Sequence, residues 1–439
     1  MALAAVAAVT GCGSTTGSTS SVDTGTDTSA DTGTGTTTTY GAYTLTSGTA
    51  HQAGNFTSTT EDQSAVLVSG TGELTLTNAL VITTASSSST DDSSFYGLNA
   101  AVLAKSGGVI TMTGGSVSTS GTGANGVFAY GSGSSISLSG TSINCSGAYA
   151  HGIMASGGGQ LAADDLTVRT SGANSAAVAT DQGGGTITVY GGSYTTTGSD
   201  SPGLYSTGTL RATSASFAAS GSEAAVVEGS NSIALTNCEL TSSKSSKWGV
   251  LLYQSASGDA QGAEGSFSQT GGSLSCTATD SPLFYVTNTQ GTIDLAGVTV
   301  NAASGLLLRA AAGSWGTSGA NGGSAILNAT GQTLTGNLAL DALSSISLNL
   351  ANGSTLTGAI NTAGTAGTTR LTLDTNSTWT VTASSRLTSI TGATISGTSI
   401  TNIVGNGYRV TYDASASANS YLGGQTYTLV GGGTLAPAF

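Results

Sequence analysis

Ile136-Ser137-Leu138-Ser139-Gly140-Thr141-Ser142-Ile143 decides the fold. Apolar side chains stand at its first, third and eighth places and glycine at its fifth. The same spacing returns from Leu74, Ile110, Leu161, Ile187, Leu210, Ile233, Phe267, Ile293 and Leu327. Successive starts lie mostly 23–26 residues apart, with three longer steps. The fifth place is held by Asn78, Gly114, Gly140, Asp165, Gly191, Ser214, Asn237, Gly271, Gly297 and Gly331. All but Ser214 are residue types that tolerate a positive φ, so a left-handed corner between two short strands is expected there. Alternation on either side of the corner puts apolar side chains on one face of each strand.

A third short segment follows each pair: Ala101-Val102-Leu103-Ala104, Gly126-Val127-Phe128-Ala129, Gly152-Ile153-Met154-Ala155 and their successors to Gly305-Leu306-Leu307-Leu308. Three strands per turn of about 22–26 residues predict an all-β parallel β-helix. Its coils stack so that backbone groups pair with the coils above and below. Ten to thirteen coils at roughly 4.8 Å each give a rod of about 50–60 Å. Leu348-Asn349-Leu350 and Leu371-Thr372-Leu373 carry the pattern onward with a changed motif. Residues 386–439 lose it and gain Tyr408, Tyr412, Tyr421 and Tyr427, which suggests a terminal cap over an otherwise open edge. The expected organisation is 1–12 as a leader, 13–40 as a tether, 41–385 as the β-helix and 386–439 as the cap.

Composition agrees with this reading. Of 439 residues 67 are Gly and 141 Ser or Thr, nearly half the chain, yet 38% is hydrophobic, enough for a long core. The formal net charge is −13, and no Lys or Arg precedes Lys105. Without a basic patch there is nothing to neutralise phosphates, which excludes a nucleic-acid partner. Cys12, Cys145, Cys238 and Cys276 are too scattered for a disulfide framework or zinc cluster. Stacking puts Cys145 and Cys276 in one column five coils apart, so free buried thiols are expected. His51 and His151 match no ligand spacing, and neither a metal nor a cofactor is expected.

Residues 2–9 (ALAAVAAV) are too short to span a bilayer but suit a signal-peptide core. Val9-Thr10-Gly11-Cys12 resembles the bacterial lipobox, which implies lipidation of Cys12, although the positively charged flank is missing. The Gly/Ser/Thr run from residue 13 has no apolar periodicity and suits a flexible tether. The coil pattern over roughly 60–400 resembles the right-handed parallel β-helix of pectate-lyase-like proteins and bacterial surface adhesins. The stretch from Leu348 to the Gly431-Gly432-Gly433-Thr434-Leu435-Ala436-Pro437 end is similar to the ends of secreted adhesin-like proteins. Handedness follows from that resemblance and from general chain chirality.

Chemistry is sparse. Two carboxylates about 5–10 Å apart are the minimum for glycoside hydrolysis. The outward carboxylates Asp164, Glu239 and Asp294 fall on separate coils and columns, and no acid sits in register with Arg169 or Arg211. Asp165 occupies a corner for backbone reasons. Insertions at 83–97, 254–265 and 311–323 carry Asp91, Asp92, Asp259 and Glu264, and protruding loops are where function often sits. The Thr-x-Thr outward places that suggest ice binding are interrupted by Asp164, Tyr190 and Arg211. In the third segment the middle place holds Leu103, Phe128, Met154, Ala179, Tyr205, Val227, Leu251, Phe284 and Leu307. Strict alternation turns this column outward as a ladder on which a sugar chain or protein docks; a bend in the segment turns it inward as core. The binding candidates are Phe128, Tyr205, Trp248, Tyr253 and Phe284.

The function expected is that of a non-enzymatic, adhesin-like rod on the bacterial cell surface, lipid-anchored or secreted and monomeric. It would bind a polysaccharide or a surface glycoprotein, or serve as structure alone. The alternative is a polysaccharide lyase or glycoside hydrolase whose site is built from loops.

Overall fold

The computed structural model describes residues 39–255, 260 and 262–438; Cys12, expected to be lipidated, the expected leader, nearly all of the expected tether and Asp259 lie outside them. The chain winds as a parallel β-solenoid of about 16 turns with 53% strand and 3% helix. It is longer than the ten to thirteen coils expected, because pairing begins at Tyr40 and runs to Pro437, both outside the strictly periodic stretch. Sixteen coils make a rod of about 75 Å.

The first and third segments of each coil merge into a 24-stranded sheet. The second segments form a 10-stranded sheet from Asn55–Ser58 to Thr299–Ala302 and a 9-stranded sheet that begins at Thr333–Thr335. Every corner at the fifth place has a positive φ, from 49° at Asn78 to 67° at Gly271, and Ser214 adopts 55°. The bias toward Gly, Asn and Asp is therefore a backbone requirement.

Inward columns stack in register. Leu74, Ile110, Ile136, Leu161, Ile187 and Leu210 pair successively, and the ladder runs on through Phe267 and Leu348 to Ile390. All of them are at most 3% exposed. Burying each such side chain contributes about 1.5–3 kcal/mol. The rings of Tyr194 and Phe217 stack at 4.9 Å on adjacent coils, and Trp379 is fully buried with its indole N–H donating to the Gly358 carbonyl at 2.8 Å. Cys145, Cys238 and Cys276 are free and buried, with Cys145 and Cys276 in one column. Burial pushes the Cys145 thiol up to about 11.

The C-terminal region continues the winding before it closes. Ser385–Leu387 pairs in parallel with Arg409–Tyr412, which pairs with Thr434–Pro437. Tyr427 and Thr428 then run antiparallel to the last strand, a reversal that ends the stack. Leu422 and Leu435 are fully buried beneath it.

Candidate functional site

The third-segment column takes a form that neither expectation described. Leu103, Phe128, Met154, Ala179, Tyr205 and Leu251 leave the main core and join a second apolar cluster outside the solenoid wall. Three assignments require correction by register. Val226, not Val227, pairs with Tyr205, and Tyr285, not Phe284, pairs with Leu251. Arg309, not Leu307, follows Tyr285. Val227, Phe284 and Leu307 lie in the main core instead. The correction is one place at Val226 and Tyr285 and two at Arg309.

Two insertions roof this outer cluster. Residues 83–97 contain the helix Thr90–Tyr96, with Ser89 as N-cap and Gly97 in the left-handed conformation closing it. Asp91 and Asp92 occupy its first turn, where carboxylates favour the helix dipole. The helix end presses on the column so closely that a Cβ at Gly97 would stand 2.6 Å from Leu103 and 3.0 Å from Phe128. Tyr96 packs edge-on against Tyr130 at 5.5 Å, and the Ser156 hydroxyl donates to the Phe95 carbonyl at 2.6 Å.

The insertion 311–323 roofs the far end and brings in Trp315. Asn321 ties it down by donating to the carbonyls of Gly313 and Trp315 at 2.9 and 2.8 Å. Asp341 accepts from the Ala312 N–H at 2.7 Å. Burial favours the neutral form of Asp341, but its hydrogen bonds from Ser344, Ala312 and Leu343 and the Arg309 charge outweigh that and hold its carboxyl below the usual range. Trp315 lies 4.6 Å from Tyr253 and 6.4 Å from Trp248, whose indole stacks on Tyr285 at 4.5 Å. The exposed Arg309 sits 5.9 Å from the Tyr285 ring centre. Trp248 and Trp315 are half-buried, so two of the chain's three tryptophans present ring surface at one place on the wall, beside the cation.

Of the five binding candidates, Trp248 stands at this platform with open ring surface. Tyr253 is 1% exposed and supports Trp315 from beneath; Tyr205 is buried; Phe128 is roofed by the helix; Phe284 is core. Trp315, Tyr285 and Arg309 were missed. The signal for Trp315 was a lone tryptophan in a Gly-rich insertion, and for Tyr285 and Arg309 the register of the third segment.

Buried polar groups lie along the same wall of the solenoid. The hydroxyls of Tyr205 and Tyr253, from the coils either side, both donate to one oxygen of Glu228, the latter at 2.6 Å. Glu223, 1% exposed, accepts from Ser222 and lies 4.0 Å from the Lys247 ammonium, which bonds Asp200 at 2.6 Å. Burial pushes the Glu223 carboxyl up against the opposing pull of Lys247. The fully buried His151 is pushed down to about 4, so it is neutral, and its Nδ1 accepts the Ala176 N–H at 2.9 Å. The Glu223 and Glu228 carboxylates are closed off from an approaching substrate.

The outward acids and Arg169 and Arg211 are exposed and unpaired with one another across the coils. A polar groove of about 330 Å³ runs over Gly183–Gly185 and Gly208, with Glu264 as its one titratable lining residue. Among the described residues no three His, Cys, Asp or Glu side chains gather as metal ligands. No protein-family model, curated protein or solved structure matches the chain.

Proposed function

We propose that this protein is a non-enzymatic, adhesin-like rod of the bacterial cell surface, and that the Trp248–Trp315 platform is where it holds a glycan chain. The observation that carries the reading is the platform: two half-open indoles backed by Tyr253 and Tyr285, with Arg309 at the edge. Half-open aromatic rings offer flat apolar surface to the C–H faces of a sugar, while Arg309 supplies donors for its oxygens. A rigid solenoid holds such a patch in place at little entropic cost on binding. The lipobox-like Val9-Thr10-Gly11-Cys12 and the Gly/Ser/Thr run after it support lipid anchoring and display away from the membrane.

A hydrolase or lyase is the second reading, favoured by Tyr205, Glu228 and Tyr253 converging on adjacent coils. Their burial weighs against it, since a general acid must reach the scissile oxygen. The deciding experiment passes the protein over immobilised polysaccharides and surface glycoproteins and then sizes the ligand. Retention with ligand of unchanged length, lost in Trp248→Ala and Trp315→Ala, is expected. Shortened ligand would replace the adhesin with the enzyme.

A further inference from the structure

We propose that the N-terminal end of the solenoid is a self-association surface, at which two copies of this chain stack coil against coil about a two-fold axis. This rests on none of the residues of the aromatic platform. The first coil is formed by Tyr40–Gln52, which pairs on one side with Gln63–Thr77, and by Asn55–Ser58, which pairs with Leu80–Thr83. Among the described residues no strand pairs with the other edge of either. That leaves a row of backbone donors and acceptors along 13 and 4 strand residues.

The apolar layer at this end is also unfinished. Tyr43, Leu45, Ala50 and Phe56 are half-buried, whereas their partners one coil inward, Val66, Val68, Leu74 and Val81, are at most 2% exposed. Tyr43 and Phe56 meet edge to face at 5.4 Å, so the aromatic part of this layer is packed together. The opposite end is finished by an antiparallel reversal over the buried Leu422 and Leu435. Among the described residues one end is closed and the other is open.

Solenoids protect open edges with charges, proline or a covering element. From Tyr40 to Thr60 there is no Asp, Glu, Lys, Arg or Pro, in a chain whose net charge is −13. Two such ends therefore meet without the repulsion that the rest of the surface would impose. A second copy completes the layer, because each end brings an identical one, and a two-fold axis lets one strand of the first coil pair antiparallel with its mate. Head-to-tail stacking would have to open the closed end. The dimer departs from the monomer expected on sequence grounds.

Sedimentation velocity of the full chain from low to high micromolar concentration tests this. The expected result is a reversible shift from 42.3 kDa to twice that mass, with no larger species. Leu45→Lys, which puts a charge into the open layer, should weaken the dimer at least tenfold. Thr44→Lys, at an exposed place on the same strand, should do the same and keeps the test decisive where Leu45→Lys does not fold. Thr401→Lys, near the closed end, should leave it unchanged. A constant monomer mass, open-ended growth, or a dimer untouched by both first-coil variants would each overturn the proposal.

Discussion

Trp315 rests on Tyr253, ring centroids 4.6 Å apart, although the first lies in an insertion and the second on a strand of the solenoid wall. Tyr253 is itself fixed from below by its 2.6 Å hydrogen bond to Glu228. The platform is thus built in three layers, from a buried carboxylate through a buried ring to a half-open one. Trp315→Ala should cost about 1–2 kcal/mol of local stability and leave the solenoid wound. Circular dichroism should show an unchanged far-ultraviolet spectrum with a diminished aromatic band; collapse of the strand signal would contradict the layered picture.

Stability should respond to acid through His151. Its folded pKa of about 4 lies below the ordinary 6.5, so the unfolded chain binds the proton more readily between those values. The stabilising difference is complete above pH 6.5 and is lost as pH falls toward 4, to a total of about 3 kcal/mol. Glu223 acts with the opposite sign: its raised folded pKa means stability is lost as pH climbs from its ordinary value of 4.5 through the folded one. Thermal melts of His151→Asn, whose amide oxygen can replace Nδ1 as acceptor for Ala176, should lose the fall between pH 6.5 and 4. A wild-type acid limb that survives in this variant would assign the effect elsewhere.

The corners give a paired prediction. Ser214 carries a Cβ at φ 55°, where glycine is unstrained, so Ser214→Gly should raise the melting temperature by an amount worth about 0.5–1 kcal/mol. Gly140 at φ 59° has open space around its missing Cβ, so Gly140→Ala meets backbone strain alone and should lower stability by about 1 kcal/mol. Equal responses at the two positions would show that the conformation of the corner does not govern its residue choice.

These corners are also where the sequence was most legible. One residue type per turn, demanded by one backbone angle, recurs often enough to set the coil length and the inward columns. The rod's ends were less legible, because Tyr40–Gln52 and Arg409–Tyr412 pair through backbone geometry without the corner motif. The platform was hardest to read. Strand alternation left Leu103, Phe128 and Tyr205 either outward as a ladder or inward as core, and neither foresaw a second buried cluster roofed by residues distant in sequence. Ser89, Asp91, Asp92 and Gly97 are the start and stop signals of a short helix, which the reading of the first insertion as a protruding loop passed over. A register slip of one place carried Phe284 into the core and hid Tyr285.

Thiol chemistry checks the burial of the core independently. Burial raises the Cys145 and Cys238 pKa, to about 11 for Cys145, and a thiol is far less nucleophilic than a thiolate. With Cys12 replaced by Ser, the native protein should not react with a chromogenic disulfide at pH 8, and should release three equivalents once unfolded. Prompt reaction of the native protein would place at least one of these side chains at the surface.

The account stands on the platform, and its fluorescence tests it most directly. Trp379 is fully buried, while Trp248 and Trp315 are half-open, so a ligand arriving at the platform changes the emission of those two alone. Titrating the protein with a soluble oligosaccharide cut from a retained polysaccharide should give a saturable change in emission. That change should persist in Trp379→Phe and vanish in the Trp248→Ala, Trp315→Ala double variant. Binding that saturates by calorimetry while the emission of the wild-type protein stays constant would contradict the claim that the platform holds the glycan.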